Sequence, residues 1–189
     1  MALTNLPFSS ARAAIARRRL APAFGARLRD VMGLDATVYC NCFETGRLKE
    51  PPPCSSVSIS PDGSLECRSE DLNTVLAFDQ WLLHRACPHP NGILFHRYIG
   101  NLAQVGFLRN ELEKDGGMFS VLLAKVLYSG AHSGDYLSLE DVRAARSELE
   151  GLDHFVCSSE EHQPDVESFR QQMIELTDVA LRVAKPISF

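Results

Sequence analysis

Alternating apolar and polar residues predict three short strands in the first half of the chain. Residues 35–43 are rich in strand-forming side chains, and their alternation predicts one strand. Residues 57–60 and 64–68 alternate on either side of Pro61-Asp62-Gly63. Proline presets φ, aspartate tolerates the bend and glycine takes a positive φ, so this tripeptide predicts a tight turn. We therefore expect a β-hairpin with one buried face.

Helical periodicity dominates the rest of the chain. Asp71 is placed to cap a helix, and Ser138 followed by Asp141 has the pattern of a second N-cap. Residues 93–99 predict a short strand or extended segment, and residues 118–128, apolar nearly all round, predict a central buried helix. Because the predicted strands come first in the chain and the predicted helices follow, the sequence favours an α+β fold, with a small antiparallel sheet covered by about five helices. The predicted helical stretches are 72–86, 100–114, 118–128, 138–149 and 166–183.

Residues 1–31 differ in composition from everything that follows. They contain six arginines, no lysine and one acidic residue, Asp30, for a net charge of +5. An Arg-rich, Ser-containing, acid-poor leader is typical of an organellar transit peptide, whereas Arg17-Arg18-Arg19 interrupts the apolar stretch of a secretory signal. The simpler interpretation, which we favour, is that translation starts at Met32 and that residues 1–31 are an upstream extension. We expect one globular domain over residues 32–189.

The charge of that domain restricts its partners. The whole chain has a net charge of −5, so residues 32–189 carry −10. Nucleic acids and anionic membranes require clustered Lys and Arg, so neither is expected as a partner. The sequence has no run of about 18 apolar residues that would cross a membrane. Its six cysteines form no C-x-x-C, and without a secretory signal they predict reduced thiols in the cytoplasm, or in an organelle if the leader is a transit peptide.

A first candidate site lies in residues 96–101, where a strand leads into a helix. The N-terminus of a helix favours anions, and Arg97 offers a planar fork for a carboxylate or phosphate. Asn101 is either a ligand-binding residue or the helix cap, and we favour the cap. His96 is a candidate acid or base, although a single histidine is more often structural.

The second candidate is the loop of residues 128–136. His132 lies between two glycines, and Asp135 is placed to orient its imidazole as in general-base catalysis. We favour the alternative that Asp135 only stabilises the turn, because no nucleophile is marked nearby. Tyr128, Gly130 and Gly134 are the candidate ligand-binding residues of this loop.

Four residues form a further, weaker candidate. Cys40 and Cys42 are spaced to share a soft metal, and Cys87 with His89 would complete a tetrahedral zinc set. The simpler interpretation is that these cysteines are small core residues, because C-x-C with a distant C-x-H is a weak spacing signal. We therefore expect no metal and no cofactor, and we keep a zinc-stabilised domain as a minor alternative.

Several segments resemble a family of small, uncharacterised bacterial proteins that begin M-G-L-D-A-T-V-Y-C. The resemblance covers residues 32–189 and implies a start at Met32 and interest in the His96 and His132 segments, but no activity, cofactor or partner. It is carried by Met32–Phe43, the prolines at 51–53, His96-Arg97 with Gly100-Asn101, Lys125–Tyr128 with His132 and Gly134-Asp135, and Ala184–Ile187.

Two functional hypotheses follow from the sequence. The first is a non-catalytic binding protein, comparable in composition to an immunity protein, that recognises a protein partner or a small anionic ligand. A pull-down without a stable partner, and a melting temperature that no ligand shifts, would count against it. The alternative is a hydrolase or transferase with His132 as base, oriented by Asp135, and Arg97 as anion clamp. It requires the two candidate segments to meet in one pocket.

Overall fold

A four-stranded antiparallel sheet organises the fold, and its strands come from widely separated parts of the sequence. The computed structural model describes residues 33–130 and 132–189. The α+β prediction is confirmed, and the central sheet has the order β4-β1-β6-β5. The strands are β1 (Gly33–Tyr39), β2 (Val57–Ile59), β3 (Leu65–Cys67), β4 (Ile93–Asn101), β5 (Tyr136–Leu137) and β6 (Ile187–Ser188).

The predicted hairpin forms but does not join the central sheet. Within the described part of the chain, β2 and β3 pair only with each other, so the hairpin is a separate two-stranded sheet. β1 ends at Tyr39 rather than at residue 43, because the chain turns immediately afterwards. Thr45 N–H donates to the Asn41 carbonyl, and Arg47 N–H donates to the Cys42 carbonyl at 2.8 Å.

Three of the four described α-helices begin after a side-chain cap at a residue that the sequence marks as a candidate. Asp71 accepts hydrogen bonds from two backbone N–H groups of the first helix, as predicted. Asn101 and Ser138 each form a capping box, which confirms the cap interpretation of both. The α-helices are α1 (Leu72–His84), α2 (Leu102–Leu112), α3 (Leu139–Gly151) and α4 (Gln163–Val183), and short 3₁₀ turns lie at Pro90–Gly92, Glu113–Asp115, Leu152–His154 and Glu160–His162.

The prediction of a helix buried all round over residues 118–128 was wrong. The segment forms a π-helix at Leu122–Val126 with one buried face, and Lys125 projects outward to pair with Asp141 at 2.7 Å. Glu148 of α3 accepts hydrogen bonds from the Val121 and Leu122 N–H groups at the start of this turn. The Glu148 carboxylate therefore caps the neighbouring helix.

The main core lies between one face of the central sheet and the helices. Leu34, Ala36 and Val38 of β1 are fully buried, and so are Met173 and Leu176 of α4. Strand alternation places the neighbouring residues of β1 on the opposite, outer face of the sheet. Among the described residues, none of the helices combines the length and the apolar character needed to cross a membrane.

Residues 40–92 form an excursion between β1 and β4, which we call the lobe. The two strands pair directly as Tyr39 with Ile93, so both ends of the lobe leave the sheet at one point. Inside the lobe, a small second core surrounds Phe78, Trp81 and Ala86. So small a core is a weak source of stability for a segment of this length.

The turn of the hairpin rests against the residues around β6. Asp62 is 8% exposed and receives a hydrogen bond from Ser188 at 3.3 Å, while the Lys185 ammonium donates to the Gly63 carbonyl and pairs with Glu44. Burial opposes ionisation of Asp62, but hydrogen bonds led by those from Ser60 and Ser64 outweigh it and lower the pKa of the carboxyl. These contacts attach the tip of the lobe to the main body.

Glu111 of α2 gives a pH-dependent prediction. Its carboxylate is buried and binds the Lys114 ammonium and, at 2.9 Å, the Ser158 N–H, and these groups lower its pKa to about 2. We expect Glu111→Gln to lower the free energy of unfolding by about 1.5–3 kcal/mol at neutral pH. Because the folded pKa is lowered, the wild-type advantage is present above the unfolded value near 4.5 and disappears as the pH falls towards 2.

Urea titrations of both proteins at a series of pH values measure this difference. The matched control is Glu113→Gln, whose carboxylate lies on the surface with Arg109 and is expected to change stability by less than about 0.5 kcal/mol. A constant difference between wild type and Glu111→Gln across this pH range would contradict the prediction.

Candidate metal centre

Cys40 and Cys42 lie just beyond the end of β1, at the base of the lobe. Cys40 N–H donates to the Gly92 carbonyl at 2.7 Å, which continues the β1–β4 ladder by one step. The turn that follows is held by Arg47, whose guanidinium donates to the Asn41 side chain and to Thr45. Both thiols are thereby directed to the same side of the chain, and Cys42 is 4% exposed.

Cys87 and His89 lie at the other end of the lobe, between α1 and β4. α1 ends at His84, and Arg85 and Ala86 N–H both donate to the Trp81 carbonyl as the chain leaves the helix. The backbone of His89, which precedes Pro90, is extended, and the 3₁₀ turn that begins at Pro90 leads into β4. Because β1 and β4 are neighbours, the two ends of the lobe bring their cysteines face to face.

The four side chains form one cluster, which we call the cysteine–histidine cluster. One ligand atom from each of Cys40, Cys42, Cys87 and His89 lies within 4.8 Å of every other. The Cys40 and Cys87 sulfurs are 3.7 Å apart, and Nδ1 of His89 lies 3.5 Å from the Cys42 sulfur and 3.7 Å from the Cys87 sulfur. Zinc bonds of about 2.3 Å to sulfur and about 2.0–2.1 Å to nitrogen separate tetrahedral ligand atoms by roughly 3.5–3.8 Å. These three separations match those of a tetrahedral zinc site.

Burial disfavours the thiolate forms of Cys40 and Cys42. It raises the pKa of Cys40 to about 12, and it also raises the pKa of Cys42. The nearby Cys87 thiol acts in the same direction on both, because adjacent thiolates repel one another. A divalent cation removes this repulsion, since it displaces the protons and is itself the counter-charge.

The 96–101 segment carries structural contacts in the described chain. Arg97 donates two hydrogen bonds to the Glu175 carboxylate of α4, at 2.8 and 3.0 Å, and lies over the Phe95 ring. His96 projects from the outer face of the sheet and pairs with Asp35 at 3.1 Å. Asn101 caps α2. The anion fork of Arg97 is therefore already occupied by a carboxylate of the protein itself.

In the 128–136 loop, His132 and Asp135 are neighbours as predicted, 3.5 Å apart between Nδ1 and the carboxylate. The His132 side chain is only 4% exposed, and its ring packs between Tyr128 and Phe189. Its Nε2 lies 3.0 Å from the Val126 carbonyl, and the Tyr128 hydroxyl donates to Asp135. Gly130 packs against Leu102, and Gly134 N–H donates to the Phe189 carbonyl, so both glycines have packing and backbone roles.

Among the described residues, the two segments line different cavities rather than one pocket. Ile187 is buried in the main core, and strand alternation places Phe189, two residues later, on the same face of the sheet. The His132 ring packs against Phe189, so His132 lies on the helix side of the sheet, whereas His96 lies on the outer face. A cavity of about 110 Å³ is lined by Tyr98 and Gly100, whereas Tyr128 and Asp135 line a separate depression of about 330 Å³.

The cysteine–histidine cluster is the site that sequence spacing undervalued. C-x-C and C-x-H are separated by the whole lobe, and neither pair alone indicates a metal. The missing information was the pairing of β1 with β4, because Cys40 directly follows one strand and His89 closely precedes the other. A prediction of that strand pair would have placed all four residues at one point.

No family model, no curated protein and no solved structure matches this chain. The resemblance to the bacterial family stays a prediction.

Proposed function

We propose that this protein binds one zinc ion through Cys40, Cys42, Cys87 and His89, and that the ion holds the lobe in its folded form. The observation that carries the proposal is the mutual approach of four ligand atoms within 4.8 Å. Three thiolates and one imidazole are a ligand set that structural zinc sites use.

The ligand chemistry favours zinc over Mg²⁺ and Ca²⁺. Thiolates are soft ligands, so they discriminate against Mg²⁺ and Ca²⁺, which prefer carboxylate and carbonyl oxygen. Three thiolates around one divalent ion leave a net charge of −1. Arg47, whose charge acts favourably on the Cys42 thiolate, is positioned to offset part of it.

The number of protein ligands supports a structural role for the ion. Catalytic zinc sites usually combine three protein ligands with a position open to water or substrate, whereas structural sites use four protein ligands. Here all four positions are filled by side chains, and Cys42 and Cys87 are buried. A metal at this point ties the two ends of the lobe together where they leave the sheet.

Metal analysis of the purified protein tests the proposal. We expect one zinc per chain and, after exchange with Co²⁺, the visible absorption of tetrahedral thiolate coordination. Cys87→Ser removes a ligand and should weaken zinc binding by more than about 100-fold, because loss of outer-shell partners alone costs about 10–100-fold.

Cys157→Ser is the matched control, because Cys157 is a buried free cysteine that belongs to the main core rather than to the cluster. This variant should keep one zinc per chain and the same Co²⁺ spectrum. Zinc content that is equally low in wild type and Cys87→Ser, or affinity unchanged by the substitution, would refute the proposal.

The protein-binding hypothesis stays a prediction, and one surface feature favours it. Leu72 is 68% exposed and Leu76 is 53% exposed, and at a spacing of four residues they share one face of α1. This helix belongs to the lobe, so a zinc ion that holds the lobe would also hold the apolar face in place. The enzyme hypothesis lacks comparable support, because its two segments line different cavities.

A further inference from the structure

A second pair of cysteines lies in the lobe, separate from the cysteine–histidine cluster. Cys54 precedes β2 and Cys67 is the last residue of β3, and their sulfur atoms are 3.2 Å apart. A disulfide bond is about 2.05 Å long, so the two sulfurs need to approach by only about 1 Å to become bonded. The Arg68 N–H bond to the Ser56 carbonyl, at 3.0 Å, holds the two segments side by side.

The surroundings of the pair favour reaction at Cys54. Both cysteines are half-buried, so a small oxidant can reach them. The Ser56 hydroxyl donates to the Cys54 sulfur at 3.5 Å, and this bond, followed by the contact with Cys67, lowers the pKa of Cys54. A lowered pKa increases the thiolate fraction, and the thiolate is the nucleophilic form of cysteine.

We propose that Cys54 and Cys67 are a dithiol that a hydroperoxide oxidises to an intramolecular disulfide. The Cys54 thiolate attacks the terminal peroxide oxygen, the O–O bond breaks, and the alcohol, or water from hydrogen peroxide, leaves. The sulfenic acid formed on Cys54 is then attacked by the Cys67 sulfur, and the S–O bond breaks with loss of water. Two thiols and one hydroperoxide thus give one disulfide, one alcohol or water, and one further water.

The disulfide would fasten the base of the hairpin to the segment that leads into it. Cys67 packs against the small core around Trp81, so oxidation would restrain that core directly. Closing the loop of residues 54–67 reduces the freedom of the unfolded lobe, and we expect a higher melting temperature for the oxidised lobe.

Peptide mapping provides a specific test. Trypsin cleaves after Lys49 and Arg68, and the resulting fragment contains Cys54 and Cys67 but none of the other cysteines. The full chain is treated with an equimolar amount of hydrogen peroxide, alkylated under denaturing conditions and digested. We expect fragment 50–68 to become two hydrogen atoms lighter and to lose both alkylation sites. Dithiothreitol should restore both sites.

Two variants and one internal reference make the test decisive. Ser56→Ala keeps both thiols and should slow disulfide formation several-fold, because it removes the hydroxyl that stabilises the Cys54 thiolate. Cys54→Ser should leave Cys67 reduced and free of an intramolecular disulfide. Cys157, in fragment 147–170, is the reference buried thiol. If fragment 50–68 remains fully alkylated when Cys157 is already oxidised, the proposal is wrong. Zinc content is measured on the same sample, so that a failure of disulfide formation can be distinguished from a failure of the metal site.

Discussion

Removal of zinc by a chelator is expected to open the lobe and leave the main core folded. The two cores are separate clusters, and the cluster around Trp81 is small. In isolated zinc-finger peptides the metal contributes about 10–16 kcal/mol to folding. The lobe retains its own packing and its contacts with β6, so the loss of folding free energy on zinc removal is smaller here. We still expect this loss to exceed the loss of folding free energy caused by any single substitution.

Trp81 makes this prediction measurable, because it is the only tryptophan of the chain. It is 1% exposed, and its indole N–H donates to the Glu50 carbonyl at 3.1 Å. Opening of the lobe should move its fluorescence emission to longer wavelength, while the far-ultraviolet circular dichroism of α2, α3 and α4 is largely retained. Added Zn²⁺ should reverse the shift, and added Mg²⁺ should not. Unchanged emission in protein verified to be free of metal would contradict a structural role for the ion.

Phe169→Ala is expected to have the largest effect among substitutions in the main core. Phe169 is 1% exposed on the buried face of α4, close to Val166 and Met173 in the helical sequence. Truncation of a buried phenylalanine removes apolar contacts and leaves a cavity, at a cost of about 3–5 kcal/mol. Since the whole domain has a stability on the order of 5–15 kcal/mol, the variant should be close to unfolding.

Urea denaturation followed by circular dichroism measures this cost. Val156→Ala is the control, because Val156 is 81% exposed and its truncation should change the free energy of unfolding by less than about 0.5 kcal/mol. Phe169→Ala should leave the proposed zinc binding unchanged under native conditions, since Phe169 does not belong to the lobe. A loss below about 1 kcal/mol would show that α4 is not packed as described.

The features predicted from sequence are those encoded by neighbouring residues. Asp71, Asn101 and Ser138 cap helices because a side-chain oxygen binds an N–H group two or three residues further along. The helical periodicity of residues 166–183 and the Pro61-Asp62-Gly63 turn are local in the same sense.

The features that sequence analysis missed depend on distant contacts. β5 and β6 contain two residues each, and they exist because β6 lies between β1 and β5. The outward position of Lys125 depends on α3, which offers Asp141 to its ammonium. The proximity of the four residues of the cysteine–histidine cluster, which sequence analysis named only as a weaker candidate, likewise depends on β1 pairing with β4.

The position of β1 in the sheet has a consequence for how the chain folds. Val38 pairs with Phe95 on one side and with Ile187 on the other, both distant in sequence, so the sheet has a high contact order and is expected to assemble slowly. A zinc ion captured by the four ligands would bring Tyr39 beside Ile93 and remove most of the loop-closure entropy that opposes β1–β4 pairing. Metal capture would then act as a nucleation step, and zinc should accelerate refolding as well as stabilise the native state.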